Sequence, residues 1–406
     1  MMDFNDSPEE AKIREGVRAW ITENAAEYEG LPAPSSRDEF VARQKSWQKK
    51  KYDGGYAGIT WPKKFGGQGK GPMESIIFSQ EEGKSAAPTG LYAIGLGMCI
   101  PTVFTHGKSE VIDRFVPASL SGEEIWCQLF SEPAAGSDLA GIRTKAVKDG
   151  DEWVINGQKV WTTNAHLCDY GIIVTRTDPS APKHKGLTMF IVDMRADGVE
   201  CRPLKQMSGG SDFNEVFFDD VRVPDSWRLG EEGEGWKVAL TTLMNERLAV
   251  GGKPRYSPDW STLMDVAKEI ETALGPASEQ ADVRSEIAQA YINDQGVKLT
   301  QQRALSALSQ GKTPGPEQSI SKVVVAKQMQ DISRFALDMT ESAGFLAAEE
   351  GSELARLQGS YFGSAGLRIA GGTDEILRNI IAERVLGLPG DLRPPKDTPF
   401  NEIEAL

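Results

Sequence analysis

Trp126-Cys-Gln-Leu-Phe-Ser-Glu-Pro-Ala-Ala-Gly-Ser-Asp-Leu-Ala140 opens as an apolar, strand-like run and turns at Ser131-Glu-Pro. Small residues and the hydroxyls of Ser131 and Ser137 follow. Such a segment lets backbone amides come close to a flat or anionic ligand. A different chemistry is written at Met244-Asn-Glu-Arg-Leu248, inside helical text. At about 100° per residue, Trp236, Leu240 and Leu243 share one apolar face. Arg247 falls within that stripe, and Glu246 at its edge near Ala239 and Val250. Two charges at a buried stripe are costly without partners. They are either a structural ion pair or a carboxylate whose burial makes it a better base.

The whole chain narrows the partners. Its 406 residues exceed one small core and predict two or three domains. A net charge of −14 argues against nucleic acid, so an anionic ligand needs a local basic site. No apolar run approaches the ~20 residues of a membrane span, so no membrane insertion is expected. The acidic N-terminus (Asp3, Asp6, Glu9, Glu10) resembles neither a secretory signal nor a transit peptide. Cys99, Cys127, Cys168 and Cys201 lie far apart without a CxxC, which predicts free thiols in a reducing, cytoplasmic setting. His106, His166 and His184 are not at ligand spacing, so no metal is expected.

The positioning elements come in three blocks. Ser7-Pro8-Glu9-Glu10 reads as a capped helix start, and helical text runs to about residue 120. Within it, the apolar text at 93–105 with Met98 is open to two readings, the lining of a pocket for an apolar substrate group or plain helical core. Gly69-Lys70-Gly71 lacks the spacing of a phosphate loop and reads as a surface turn. From about 126 the period falls to two: Asp149-Gly150 and Asn156-Gly157 read as hairpin turns, with further strands at 186–193 and 214–218. After Gly230-Glu-Glu-Gly-Glu-Gly235, helices are expected over 259–274, 282–310, 317–344 and 373–386. The expected class is α+β: an N-terminal helical domain (1–125), a middle antiparallel β domain (126–235) and a C-terminal helical-bundle domain (236–406).

Three segments together, Trp126–Ala140, Lys159-Val-Trp-Thr-Thr-Asn164 and Gly371-Gly-Thr-Asp-Glu-Ile-Leu-Arg-Asn379, closely resemble the signature of the acyl-CoA dehydrogenases, in that family's order and across nearly the whole chain. The resemblance implies the family fold with a C-terminal four-helix bundle, FAD, an acyl-CoA substrate, and electrons passed to an electron-transferring flavoprotein. It implies α,β-dehydrogenation: a base takes the α proton while the β hydrogen leaves as hydride. Many members carry that base as Glu in Glu-Gly-Thr, but here Gly371 stands in its place. A branched-chain and long-chain subset carries it on an earlier helix as Glu-Arg, which is Glu246-Arg247. Gly371 retains the backbone N–H that serves the thioester oxygen.

Carried over by position, Gln128, Phe130, Ser131, Trp161 and Thr163 are implied flavin contacts. Thr373 and Glu375 fall near ribose or pyrophosphate at a helix start, although Glu375 stands where Gln is usual. Ser137 matches a CoA-side hydroxyl. Arg247 reads either as a CoA-phosphate contact or as a brace for a carboxylate. The family's Arg-x-x-Phe segment, which reaches a neighbouring subunit's FAD, is missing between 252 and 290, and Arg284 is its candidate substitute. Homodimer, homotetramer and hetero-oligomer therefore stay open. So do two other readings on the same fold: an oxidase, and a non-catalytic subunit of a hetero-oligomeric dehydrogenase.

Overall fold

Ser7 starts α1 (Pro8–Ala25) as its residue types dictate. Its hydroxyl accepts from the Glu10 amide at 3.3 Å, and its own amide donates to the Glu10 carboxylate at 2.7 Å. Helices α2 (Arg37–Asp53), α3 (Pro72–Glu82), α4 (Ile100–His106) and α5 (Ser109–Ser121) follow. Val17, Ile21, Trp47, Ile77 and Phe78 form a core among the first three. The structure, a computed structural model, describes residues 6–249, 257–309, 315, 318–390, 395 and 397–403.

A charge cluster closes this first layer. Arg14, Arg18 and Lys84 reach the buried Glu81 carboxylate at 3.1, 2.9 and 2.7 Å. Hydrogen bonds from Arg18, then Lys84 and Arg14, overcome burial and hold Glu81 down to about 2. Its folded pKa lies below the unfolded value of about 4.3. Its stabilisation is thus complete above that value and is lost as pH falls toward 2. Glu81→Gln should lower the neutral-pH melting midpoint by a few degrees and flatten the acid arm of the stability profile. Thermal melts across the acid range check this, and an unchanged acid slope would count against it.

From β1 (Trp126–Leu129) the chain alternates. Strands β2 (Lys145–Asp149), β3 (Glu152–Thr163), β4 (Tyr170–Arg176), β5 (Leu187–Asp193), β6 (Val199–Pro203), β7 (Phe213–Pro224) and β8 (Arg228–Leu229) lie in the order β6-β7-β3-β2-β4-β5-β8, with β1 paired to β4. The ladders are antiparallel except β1–β4 and one β2–β4 pairing, which are parallel. The sheet is thus mainly antiparallel, as expected, with parallel pairings only where β4 meets β1 and β2. Asp149-Gly150 does form the β2–β3 hairpin. Asn156-Gly157 does not: β3 runs through it and bulges opposite β7. The Asn156 side chain donates to the Asp220 carboxylate at 2.9 Å and accepts from the Asp220 amide at 3.0 Å. A Cβ on residue 157 would lie 2.6 Å from the Thr144 hydroxyl. Here the dipeptide marks a bulge with close backbone approach, the other meaning of Gly in a strand.

Helix α6 (Gly235–Ala249) belongs with these elements in one compact unit, Asp6–Lys205, Ser211–Ala249 and Leu392–Leu406. A second unit, Met1–Asn5, Gln206–Gly210 and Val250–Asp391, holds α7 (Trp260–Glu269), α8 (Ala281–Ser309), α9 (Gln318–Met339), α10 (Glu353–Leu367) and α11 (Asp374–Ile380). Leu263, Ala267, Ile287, Ile332, Ala336 and Leu357 form its core. Helix α7 stops short of the expected 274 because a short hairpin, β9 (Glu271–Thr272) and β10 (Gly275–Pro276), follows it. The order helical, sheet, helical is the expected one. Among the described residues no helix is long and apolar enough to cross a membrane, and all four cysteines are free.

Candidate active site

Two of the signature segments meet in the structure. The Val160 amide donates to the Ser131 carbonyl at 2.9 Å, joining β3 to the turn after β1. Behind this contact lies a buried ion pair to which the sequence reading gave no role. Lys159 is wholly buried, and its Nζ donates to the Glu132 carboxylate at 2.8 Å and to the Phe130 carbonyl at 2.9 Å. The Glu132 carboxylate also accepts from the Arg143 and Thr144 amides at 2.6 and 2.9 Å. Burial pushes the Lys159 ammonium down to about 8 against the pull of Glu132. Burial also pushes Glu132 up, but Lys159 and the other donors win and hold it below its ordinary value. The signal was two opposite charges inside otherwise small or apolar motifs.

Trp161 follows directly. It sits in a bulge of β3 with φ +61° and is 61 % exposed, its ring edge on Phe213 at 5.9 Å. A left-handed backbone costs a bulky residue about 1–2 kcal/mol. A core aromatic would not need it, and the exposed indole does not serve the core. The next residue, Thr162, turns inward, and its hydroxyl is buried without a hydrogen bond. Phe130 is buried, Gln128, Ser131 and Thr163 are half-buried, and Ser137 is exposed just beyond the Glu132–Ala135 bridge.

Helix α6 is seated on the same unit. It starts at Gly235, where a Cβ would lie 2.6 Å from the Leu187–Thr188 backbone of β5. Val238, Ala239 and Thr242 are fully buried. The Thr242 hydroxyl pairs with that of Thr102 at 2.9 Å, and the Thr241 hydroxyl with His106 Nε2 at 2.8 Å, tying α6 to α4. Of the expected face, Trp236 and Leu243 pack half-buried against the core, but the innermost line runs through Val238, Ala239 and Thr242. Leu240 and Met244 are exposed, because the surface under α6 takes small residues and offers Thr242 a polar partner. Glu246 follows Ala239 and Thr242 at i+7 and i+4 spacing, and Arg247 follows Leu240 and Leu243 in the same way. The side chains of Glu246 and Arg247 lie outside the described residues. Met98 is buried on a π turn, Gly95–Cys99, that leads into α4, and its carbonyl accepts from the Thr102 hydroxyl at 2.8 Å.

The remaining expected residues lie in the second unit. Gly371 and Gly372 both have positive φ, 66° and 88°, ahead of α11. The Thr373 hydroxyl caps that helix, accepting from the Ile376 amide at 3.2 Å. Asp374, missed in the sequence because it reads as an ordinary first-turn acid, is buried. Its carboxylate meets Arg368 at 2.8 Å and Lys322 at 3.6 Å. Lys322 also donates to the Gly372 carbonyl at 2.8 Å, so the turn is pinned through its oxygen. The Gly371 amide has no partner among the described residues. Glu375 is exposed, as is Arg284 in the first turn of α8.

Comparison with known proteins gives these segments a common origin. Residues 7–123, 127–221 and 233–386 match the N-terminal, middle and C-terminal domains of acyl-CoA dehydrogenase. The acyl-CoA dehydrogenase IpdE1 of Mycobacterium tuberculosis is 34% identical, covering 94% of this chain and 98% of its own. FadE34 of the same organism, also named an acyl-CoA dehydrogenase, is 36% identical over 93% of this chain, which spans 52% of FadE34. The solved Tcur3481–Tcur3483 steroid ACAD superposes with a TM-score of 0.79 at 28% identity, covering 96% of this chain and 100% of that one. The ChsE4–ChsE5 complex from M. tuberculosis does so with 0.77 at 26% identity, covering 96% and 100%. With matches of this extent along all three of its parts, the chain belongs to the acyl-CoA dehydrogenase family of FAD-dependent oxidoreductases.

Proposed function

We propose that this chain, with FAD, converts an acyl-CoA thioester to the trans-2-enoyl-CoA and delivers the electrons to an electron-transferring flavoprotein. The observation that carries the reading is the register of α6. Residue 246 continues the line of the fully buried Ala239 and Thr242, which suits a carboxylate acting as a base away from water. In this reading Glu246 removes the α proton, and the Gly371 amide donates to the thioester oxygen as negative charge develops there. Ser137, Arg247 and Met98 contact the acyl-CoA.

The residues present fit a flavin. An indole held exposed by a strained bulge is suited to cover a flat ring, and Ser131 lies on the adjoining turn. Gln128, Phe130, Ser131, Trp161 and Thr163 would hold the ring system, and Thr373, Glu375 and Arg284 its ribose and phosphates. FAD, when bound, supplies the acceptor for the β hydrogen. The working domains are 1–125, 126–235 and 236–406.

The acyl group we propose is bulky and ring-bearing, in keeping with a structural relative named a steroid ACAD. A second reading, a subunit needing a homologous partner, draws support from two relatives named as pairs of unlike chains. Anaerobic titration of the purified chain with straight-chain, branched and ring-bearing acyl-CoAs tests both. Bleaching of a bound flavin by the ring-bearing thioesters is the expected result. A flavin-loaded chain that no thioester bleaches would overturn the first reading. A colourless chain that gains flavin only with a co-expressed homologue would favour the second.

A further inference from the structure

We propose that the C-terminal segment 397–403 is a positioning strap for the thioester side of the site, with Phe400, stacked on Arg176, fixing the loop that carries Ser137. The inference rests on the reading of Ser137 as a CoA-side hydroxyl.

Arg176 ends β4 and is 4 % exposed. Its guanidinium is shared among three stretches of chain. Nη2 donates to the Ala140 and Ile142 carbonyls at 2.6 and 3.4 Å, and Nη1 donates to the Lys183 carbonyl at 2.8 Å. The third stretch is the C-terminal one: the Phe400 ring lies over the guanidinium, 3.8 Å from its carbon to the ring centroid. That ring is delivered by backbone pairing. The Phe400 amide donates to the Ala181 carbonyl and the Asn401 amide to the Pro179 carbonyl, both at 3.0 Å, and Pro399 bridges to Pro182. An ion pair between Asp138 and Lys183 ties the same two loops, one residue beyond Ser137.

The physical logic is that of a buried cation with few anionic partners. Every hydrogen bond from Arg176 goes to a backbone carbonyl, and its Nε is buried without a partner. No carboxylate bonds to it among the described residues, and burial pushes it down to about 10. A desolvated guanidinium gains from an aromatic face. The face also excludes water, which would otherwise compete for the Ala140 and Ile142 carbonyls. Ala140 and Ile142 are themselves buried, so the loop 138–142 is clamped at its inner end, with Ser137 exposed just outside the clamp. The C-terminal stretch thereby sets the pose of a hydroxyl some 260 residues earlier in the chain.

The test uses the full chain loaded with FAD and compares Phe400→Leu, Phe400→Trp and Ser137→Ala. Leu keeps apolar bulk without the aromatic face, and Trp restores the face. For Phe400→Leu we expect faster amide exchange at 138–142 and 179–185 without substrate. We also expect KM for the acyl-CoA to rise by about tenfold, with kcat and flavin content unchanged. Phe400→Trp should return both readouts to wild type. Unchanged exchange at 138–142 overturns the proposal, as does equal loss of flavin and kcat. A KM raised by Ser137→Ala but not by Phe400→Leu overturns the strap alone. A KM moved by neither variant overturns the Ser137 reading, and the strap's role with it.

Discussion

Glu246→Gln keeps its FAD and loses substrate-driven bleaching of the flavin by about 10²- to 10⁴-fold, the range that a positioned base contributes. The amide has nearly the carboxylate's shape, so the packing of α6 on α4 and β5 through Val238, Ala239 and Thr242 is left alone. What disappears is the proposed proton acceptor. An α proton beside a thioester is a weak acid, and a dry site raises a carboxylate's pKa toward the value the transfer needs. Anaerobic rapid-mixing absorbance gives the rate, and the same sample gives the flavin stoichiometry. Bleaching at the wild-type rate would remove Glu246 from the chemistry, and loss of flavin along with the rate would assign it to structure.

Lys159→Met has the other large expected effect, on stability and flavin retention together. Methionine fills the volume but leaves Glu132 buried without its cation and the Phe130 carbonyl without its donor. Stripping one partner from a buried pair costs about 3–5 kcal/mol, and an orphaned carbonyl adds about 1–3 kcal/mol. Both losses fall on the turn that holds Phe130 and Ser131. Combining Lys159→Met with Glu132→Gln should recover part of the stability. It removes both charges and keeps one side-chain oxygen, which can still accept from one of the two amides, Arg143 or Thr144, that the carboxylate serves with separate oxygens. Urea melts and the flavin-to-protein ratio read the outcome. A single variant as stable as the wild type, or a double variant no better than the single, would show that the pair is not what holds the turn.

The sequence was legible where residue type and required backbone coincide. Ser7-Pro8 and Glu10 predict a capping box because only that side-chain pair satisfies those amides. The Ser131-Glu-Pro run marks a turn, and the Glu132–Ala135 bridge closes one there. It misled where a residue type has two uses. Asn156-Gly157 serves hairpins and bulges alike, and the choice is made by Thr144 and Asp220 across the sheet, which local text does not show. Helix α6 buries Thr242 where Leu240 was expected, because hydropathy ranks Leu240 above Thr242, while Thr102 makes the threonine the better buried residue. Helix α10 was hidden by Gly359, Gly363 and Gly366, which weaken local helix propensity but not its packing through Leu357. The Lys159–Glu132 and Arg368–Asp374 pairs are tertiary facts: each charge looks solvated until its partner is brought to it.

The bulge at Trp161 also turns the chain into its own optical gauge. Of the nine tryptophans in the sequence, Trp161 alone is exposed, while Trp47, Trp126 and Trp153 are fully buried. Its emission therefore belongs at the red edge of the spectrum and is the part most open to a dissolved quencher such as acrylamide. A flat chromophore settling on that indole would shield it and drain its excited state at once. Loading of the protein could then be followed from intrinsic fluorescence, with no label added.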